Sequence, residues 1–268
     1  MEFITNFKCG RNTSRVFGDF VKEEPIPVNK KTRLNINHEF FDNLDSEIKF
    51  YLLGYFIADG CIVIENKKHH GIIDSKGYRL SVNVSKDDFD TIQLFYKYIG
   101  NQNKQIEYNN TQSGVKYKRK PQIRFRWSSK HMIDTLSSYD IISNKTLHYT
   151  FKLKSNWIKS PFIYDLIRGL IDGDGHIGKS NIQLCLNSKE LANQLSNFFN
   201  KHFQNCSSCR ITENQGKTCK WWILNINGGK KFLKEYYEKC YHGTNFCLSR
   251  KFRNIEETLG ISQGPKAL

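Results

Sequence analysis

The chain has 268 residues, 38% hydrophobic and 13% aromatic, enough for a globular core in two domains of ordinary size. Its 41 lysines and arginines against 26 aspartates and glutamates leave a formal charge of +15, which points to a polyanion partner without separating DNA from RNA or an acidic membrane surface. Nothing resembles a membrane span, and Met1-Glu2-Phe3-Ile4 lacks the basic segment of a secretory leader, so a soluble intracellular protein is expected.

Residues 1–33 are basic, carry Pro25 and Pro27, and show no long periodic segment. They read as an arm lying along DNA or a partly ordered extension, and residues 1–45 are taken as an N-terminal extension. The first periodic element is an apolar helix over Phe50–Ile57, closing on Asp59-Gly60. Its stretch Leu52–Gly60, LLGYFIADG, recurs as Ile167–Gly175, IRGLIDGDG, sharing glycine at position three, aspartate at eight and glycine at nine. The copies lie 174 − 59 = 115 residues apart. One Asp-Gly after an apolar run is ordinary turn chemistry, but two inside matching nonapeptides describe a repeat.

In each copy two small residues stand four apart, Gly54 and Ala58, then Gly169 and Gly173, so they share a helix face and permit close packing of two helices. Gly60 and Gly175 are expected as C-terminal caps, and Ser160-Pro161 as the start of the second helix. Asp59 and Asp174 then sit at negative helix ends, where an anion is disfavoured by roughly 0.3 to 1 kcal/mol and a bound cation would offset the cost. Asp172 is acidic as well, but its counterpart is Ile57, so the paired role is not given to it.

The repeat runs on. Leu80–Phe89 matches Ile182–Leu191 at an offset of 102, and Phe125–Ile133 matches Asn225–Leu233 at an offset of 100; each is a strand running into a helix. Each half thus reads as helix, two strands, helix, two strands, helix, an α+β architecture whose antiparallel sheets are expected to form a saddle. The first repeat is placed at 46–155, the second at 156–259 and a flexible tail at 260–268. The drop in offset from 115 to 102 puts 13 extra residues into the first half, around Glu65–Lys76.

In the strands, apolar residues alternate with Arg79, Ser81, Asn83, Gln122, Arg124, Arg126, Gln183 and Asn187, side chains suited to base edges and phosphates. The strand near Trp221–Asn227 alternates less clearly and receives no such residues. Cys206-Ser-Ser-Cys209, with Cys219 nearby, has some zinc-ligand character, but a second Cys-x-x-Cys is missing and free thiols are expected.

The two nonapeptides resemble the motifs of the LAGLIDADG homing endonucleases in their single-chain, two-repeat form, and the likeness extends from about Leu34 to Ile255. Tyr55-Phe56-Ile57 and Ile167-Arg168 depart from the consensus at packing positions, while the eighth-position acids are intact. The resemblance implies a site-specific endonuclease that cuts both strands of a long asymmetric target and leaves short 3′ overhangs. It implies a monomer with an internal pseudo-twofold axis, bound to double-stranded DNA. Asp59 and Asp174, with the carbonyls of Ala58 and Gly173, would hold Mg²⁺, with Mn²⁺ or Ca²⁺ able to replace it in binding. It further implies basic catalytic partners late in each repeat. Ile141-Ile-Ser-Asn-Lys145-Thr146, with Asp140 where glycine is usual, and Leu248-Ser-Arg-Lys251 match those segments, nominating Lys145 and Lys251. A group I intron maturase binding intron RNA, and a DNA-binding regulator that no longer cuts, are the alternative functions. An intein would need a nucleophile at residue 1 and a terminal asparagine, whereas Met1 and Leu268 point to a free-standing or intron-encoded protein.

Overall fold

The computed structural model describes residues 35–69, 72–101, 107–109, 122–143, 150–216 and 219–261. A short strand β1 (Asn35–Ile36) precedes helix α1 (Glu47–Asp59), strands β2 (Gly60–His69) and β3 (Ile72–Ser85), a 3₁₀ turn (Lys86–Asp88) and helix α2 (Phe89–Ile99). Strands β4 (Gly100–Asn101), β5 (Glu107–Asn109) and β6 (Gln122–Trp127) and helix α3 (Lys130–Ser138) complete the first half. After the single turn α4 (Ser155–Ile158), the pattern repeats as α5 (Ile163–Asp174), β7 (Gly175–Ile177), β8 (Asn181–Leu186), α6 (Lys189–His202), β9 (Ser208–Gln215), β10 (Lys220–Asn227) and α7 (Gly229–Cys240), and a further helix α8 (Ser249–Leu259) follows. Two four-stranded antiparallel sheets result, ordered β2-β3-β6-β5 and β7-β8-β10-β9, as the alternation predicted.

Helices α1 and α5 form the central seam. Phe50 to Ile57 are all buried, so α1 is apolar on every side and must lie inside the molecule. The expected small residues are what lets α5 come so close. A Cβ added at Gly54 would lie 2.2 Å from the Leu166 carbonyl oxygen, one at Gly169 would lie 2.1 Å from that of Tyr51, and one at Gly173 would lie 2.4 Å from Ala58 Cβ. Backbone thus meets backbone across the two halves.

Gly60 and Gly175 cap their helices as expected, their N–H groups bonding the Phe56 and Ile171 carbonyls, but with φ −72° and ψ 148° and φ −90° and ψ 160° neither is left-handed. Both are extended and run straight into strands; glycine is required because a Cβ would meet the carbonyl of Phe56 or Ile171 at 2.3 or 2.5 Å. Helix α5 starts at Ile163 rather than just after Ser160, whose hydroxyl instead accepts the Phe162 N–H at 3.2 Å. Asp140, standing where the family pattern has glycine, adopts φ +65°, a left-handed conformation that aspartate tolerates better than most residues.

The extra residues of the first half lengthen one hairpin. β2 and β3 span 10 and 14 residues where β7 and β8 span 3 and 6, with a register shift between Lys67 and Lys68. The core lies beneath both sheets: Leu80, Val82, Val84, Ile123, Phe125 and Trp127 face it in the first half, and Ile182, Leu184, Leu186, Leu224 and Ile226 in the second. Among the described residues the cysteines are free thiols; the Cys206 and Cys209 sulfurs are 3.6 Å apart, and no cluster of three His, Cys, Asp or Glu side chains suits a metal. No described helix is long and apolar enough to cross a membrane.

Glu235 on α7 ties down the loop that enters β9. It accepts the backbone N–H groups of Gln204 and Asn205 at 3.0 and 2.9 Å and the Lys239 ammonium at 2.8 Å. Burial pushes its carboxyl up, but these donors outweigh it and hold the pKa at about 2, against an ordinary 4.5. A depressed carboxylate contributes stability that is present above pH 4.5 and lost as pH falls towards 2. Glu235→Gln is therefore expected to cost about 1 to 2 kcal/mol in urea unfolding at pH 7. The difference should fade in the same titration carried down through pH 4.5 towards 2, and a gap independent of pH would refute the account.

Candidate functional site

The two expected acids arrive together because their helices do. Asp59 and Asp174 are the last residues of α1 and α5, and the Asp59 Oδ2 atom lies 3.5 Å from the point where a Gly173 Cβ would stand. Asp174 is exposed, and with Ile57 and Ala58 of the other helix it lines a small crevice that also contains Asn187. Two carboxylates and two helix C-terminal ends thus converge at the pseudo-twofold seam, a concentration of hard oxygen donors and negative potential.

Asp172 has a different role. It is 1% exposed and accepts hydrogen bonds from Tyr51 Oη at 3.0 Å, Tyr241 Oη at 2.6 Å and the Leu248 N–H at 2.8 Å. Burial pushes its carboxyl up, opposed by the charge of Lys251 and by these donors. The neighbouring consensus departure, Arg168, is buried too. Its guanidinium lies against the rings of Tyr51 and Phe246, with centroids at 5.1 and 5.2 Å, and donates to Asp165 and to the Cys240 carbonyl. A motif position that usually packs is here filled by a cation with its own partners.

Lys251 is 4% exposed. Its ammonium reaches the Asp172 carbonyl at 2.7 Å and the carbonyls of Ile171 and Gly173, so it caps the end of α5 directly beneath Asp174. Burial lowers its pKa, partly countered by the charges of Asp172 and Asp59. Arg250 points elsewhere and grips Asp88, so the two basic residues are not interchangeable. Lys145 lies outside the described residues.

Of the expected readout residues, Gln122 and Gln183 are exposed on the outward faces of the sheets, while Arg124 and Arg126 are half-buried there. Arg79 is engaged by Glu65 at 2.6 Å, and Arg124 Nε donates to Asn83 Oδ1 at 2.5 Å, so part of the first sheet is already satisfied by its own neighbours. Ser81 is only 8% exposed, flanked in the ladder by Cys61 and Arg126, so little of its surface is open to a ligand. Asn187 is relocated, beyond the end of β8 and into the crevice beside Asp174.

The sheet presents residues that sequence reading passed over. β10 pairs Asn225 with Gln183 on one side and Arg210 on the other, and His176 pairs with Gln183 from β7. A row His176–Gln183–Asn225–Arg210 therefore crosses all four strands on the outward face. The ladders also correct the repeat alignment. Ser81 faces Arg126 as Gln183 faces Asn225, an offset of 225 − 126 = 99, and the helix caps Ser129 and Gly228 give 228 − 129 = 99 as well. An offset of 100 slips the strand by one residue and turns every side chain to the wrong face. The adjacent Trp221 and Trp222 hid the true alternation.

Residues 162–240 match the family model for a LAGLIDADG-like domain. Among solved structures, I-LtrWI, a LAGLIDADG homing endonuclease bound to target DNA, superposes with a TM-score of 0.53 at 12% identity, over 79% of this chain and 88% of that one. I-SmaMI, a LAGLIDADG homing endonuclease bound to cleaved DNA, gives 0.50 at 10% identity over 79% and 87%. I-DmoI in complex with DNA and Mn gives 0.48 at 16% identity over 74% and 97%. At these identities the likeness is one of fold, and the fold is that of the LAGLIDADG homing endonucleases, with both motif helices at its centre. No curated protein sequence matches the chain.

Proposed function

We propose that the chain is a site-specific DNA endonuclease that acts as a monomer on double-stranded DNA, hydrolysing one phosphodiester in each strand and leaving short 3′ overhangs. The observation that carries this reading is the meeting of Asp59 and Asp174 at the seam between two sheets, one acid per half and so one per strand. The excess of basic residues supports a polyanion ligand. The donor set, two carboxylates and the carbonyls of Ala58 and Gly173, consists of oxygen atoms only, which fits Mg²⁺, with Mn²⁺ or Ca²⁺ accepted for binding. A divalent cation held there supplies charge neutralisation and activates water for attack on phosphorus. The chain's own part is placement. The packed glycines set the distance between the acids, Lys251 holds the carbonyls that precede Asp174, and Lys145 is assigned the corresponding place in the first half. The outward sheet faces bind the two halves of the target.

The test begins with a target selected from randomised duplex DNA by binding in Ca²⁺. A supercoiled plasmid carrying that target should be linearised at one site when Mg²⁺ is supplied and left intact in chelator. Specific binding with no cleavage in Mg²⁺ or Mn²⁺ would favour a regulator and refute the nuclease.

Readout should be uneven between the halves. Arg210 and Gln183 stand on an outward face, and among the described residues Arg210 has no ion pair, whereas Arg79 must first give up Glu65. Alanine at Arg210 or Gln183 is expected to cost about 1 to 3 kcal/mol and to relax preference at a few neighbouring base pairs. Binding to a library of target variants measures it. Equal weakening on every sequence would mean phosphate contact instead.

A further inference from the structure

Residues 248–254 turn back from the second repeat and dock on the first. Leu248 donates its N–H to Asp172 Oδ2 at 2.8 Å, and Ser249 donates its N–H to Asp90 Oδ2 at 3.0 Å. Arg250 holds Asp88 with Nε and Nη2 at 3.0 and 3.1 Å, and Lys251 reaches the Asp172 carbonyl at 2.7 Å. Asp88 and Asp90 stand at the start of α2, in the half that carries Asp59, whereas Asp172 belongs to the helix that ends in Asp174. One turn further along α8, Asn254 Nδ2 donates to the Ile177 carbonyl at 2.8 Å. The chain is thus held just before Asp174 by Lys251 and just after it by Asn254.

The same short helix is fastened to the opposite repeat. Leu248, Ser249 and Lys251 are no more than 4% exposed, and the Asp88 carboxylate, 9% exposed, receives a two-pronged guanidinium, the geometry that resists rotation best. An Asp174 carboxylate displaced by about 1 Å would lose much of its effect, since alignment of the reacting groups contributes so much to the rate. The brace is built on a feature that the first motif lacks, because the residue matching Asp172 there is Ile57.

We propose that Asp88, Arg250 and Asn254 are positioning residues: through them α8 sets where Asp174 stands relative to Asp59, so that the two strands are cut in step. This rests on the endonuclease reading above. A loosened brace leaves the Asp59 side intact and slows the strand served by Asp174, so a nicked circle accumulates before linear product.

Amide hydrogen exchange on the full chain gives a readout independent of cleavage. Asp88→Asn and Asn254→Ala should each raise exchange at residues 170–177 while protection in α1 is kept. On the selected plasmid target the nicked intermediate should rise roughly tenfold, with affinity in Ca²⁺ unchanged. Exchanging the charges, Asp88→Arg with Arg250→Asp, should return both readouts towards wild type, while either change alone disturbs them. Unchanged exchange at 170–177 would overturn the brace, and so would normal two-strand cutting by variants whose exchange has risen. A double exchange that stays defective, with affinity falling in step with rate, would make Arg250 a phosphate contact and likewise overturn it. A wild-type protein that cuts nothing would refute the nuclease reading alone, and the exchange data would still decide whether α8 holds the Asp174 turn.

Discussion

Asn in place of either Asp59 or Asp174 is expected to lower Mg²⁺-dependent double-strand cleavage by at least about a hundredfold. The substitution keeps the shape and removes the charge. An amide oxygen is a weak ligand for a hard cation, and the one remaining carboxylate with the negative ends of α1 and α5 would have to hold it. Asp174 is exposed and Asp59 only half-buried at the end of its helix, so melting temperature and DNA affinity should stay near wild type. Because each acid serves its own half, the single variants should fail to cut both strands, and the double variant should cut neither. Single-turnover cleavage with strand-specific labels measures this. Either variant cutting both strands at the wild-type rate would remove the acids from the mechanism.

Gly169→Ala is expected to destabilise the protein by about 3 kcal/mol, the upper part of the usual range for overpacking. The added methyl would lie 2.1 Å from the Tyr51 carbonyl oxygen and 2.8 Å from the Tyr55 nitrogen. These are backbone atoms within the buried stretch Phe50–Ile57, and no side chain can swing away to make room. Relief requires the two central helices to separate, which also moves Asp59 from Asp174. Thermal unfolding should show a fall of roughly 6 to 12 °C. Gly169→Val, with more atoms to place, should prevent folding. An alanine variant that melts within about two degrees of wild type would mean that the seam is looser than its backbone contacts indicate.

The seam and the acids were legible in the sequence because they rest on local periodicity. Small residues four apart share a helix face wherever the helix lies, and two copies of one nonapeptide imply two such faces. Strands β3, β6 and β8 were legible for the same reason, since apolar and polar residues alternate cleanly there and a strand has two faces. β10 was not, because two adjacent tryptophans blur its period and only the pairing of Asn225 with Gln183 and Arg210 reveals its outward side.

Tertiary structure decided what depends on neighbours distant in sequence. Ser81 alternates like a surface residue but is covered by Cys61 and Arg126 from adjoining strands. The resemblance nominates Lys251 as a basic partner of the site, but only the docking of α8 shows its ammonium turned onto the end of a helix 80 residues earlier. The sequence already sets Asp172 aside because its counterpart is Ile57, but only the structure shows Tyr51, Tyr241 and Leu248 using its oxygen atoms. By itself the sequence determined which residues carry charge, which faces of the cleanly alternating elements are apolar and where the two motif copies fall, because these follow from chemistry along one element. Which charges meet, and which are removed from water, was decided only by packing, because desolvation and hydrogen bonding depend on atoms that the chain brings together from far apart.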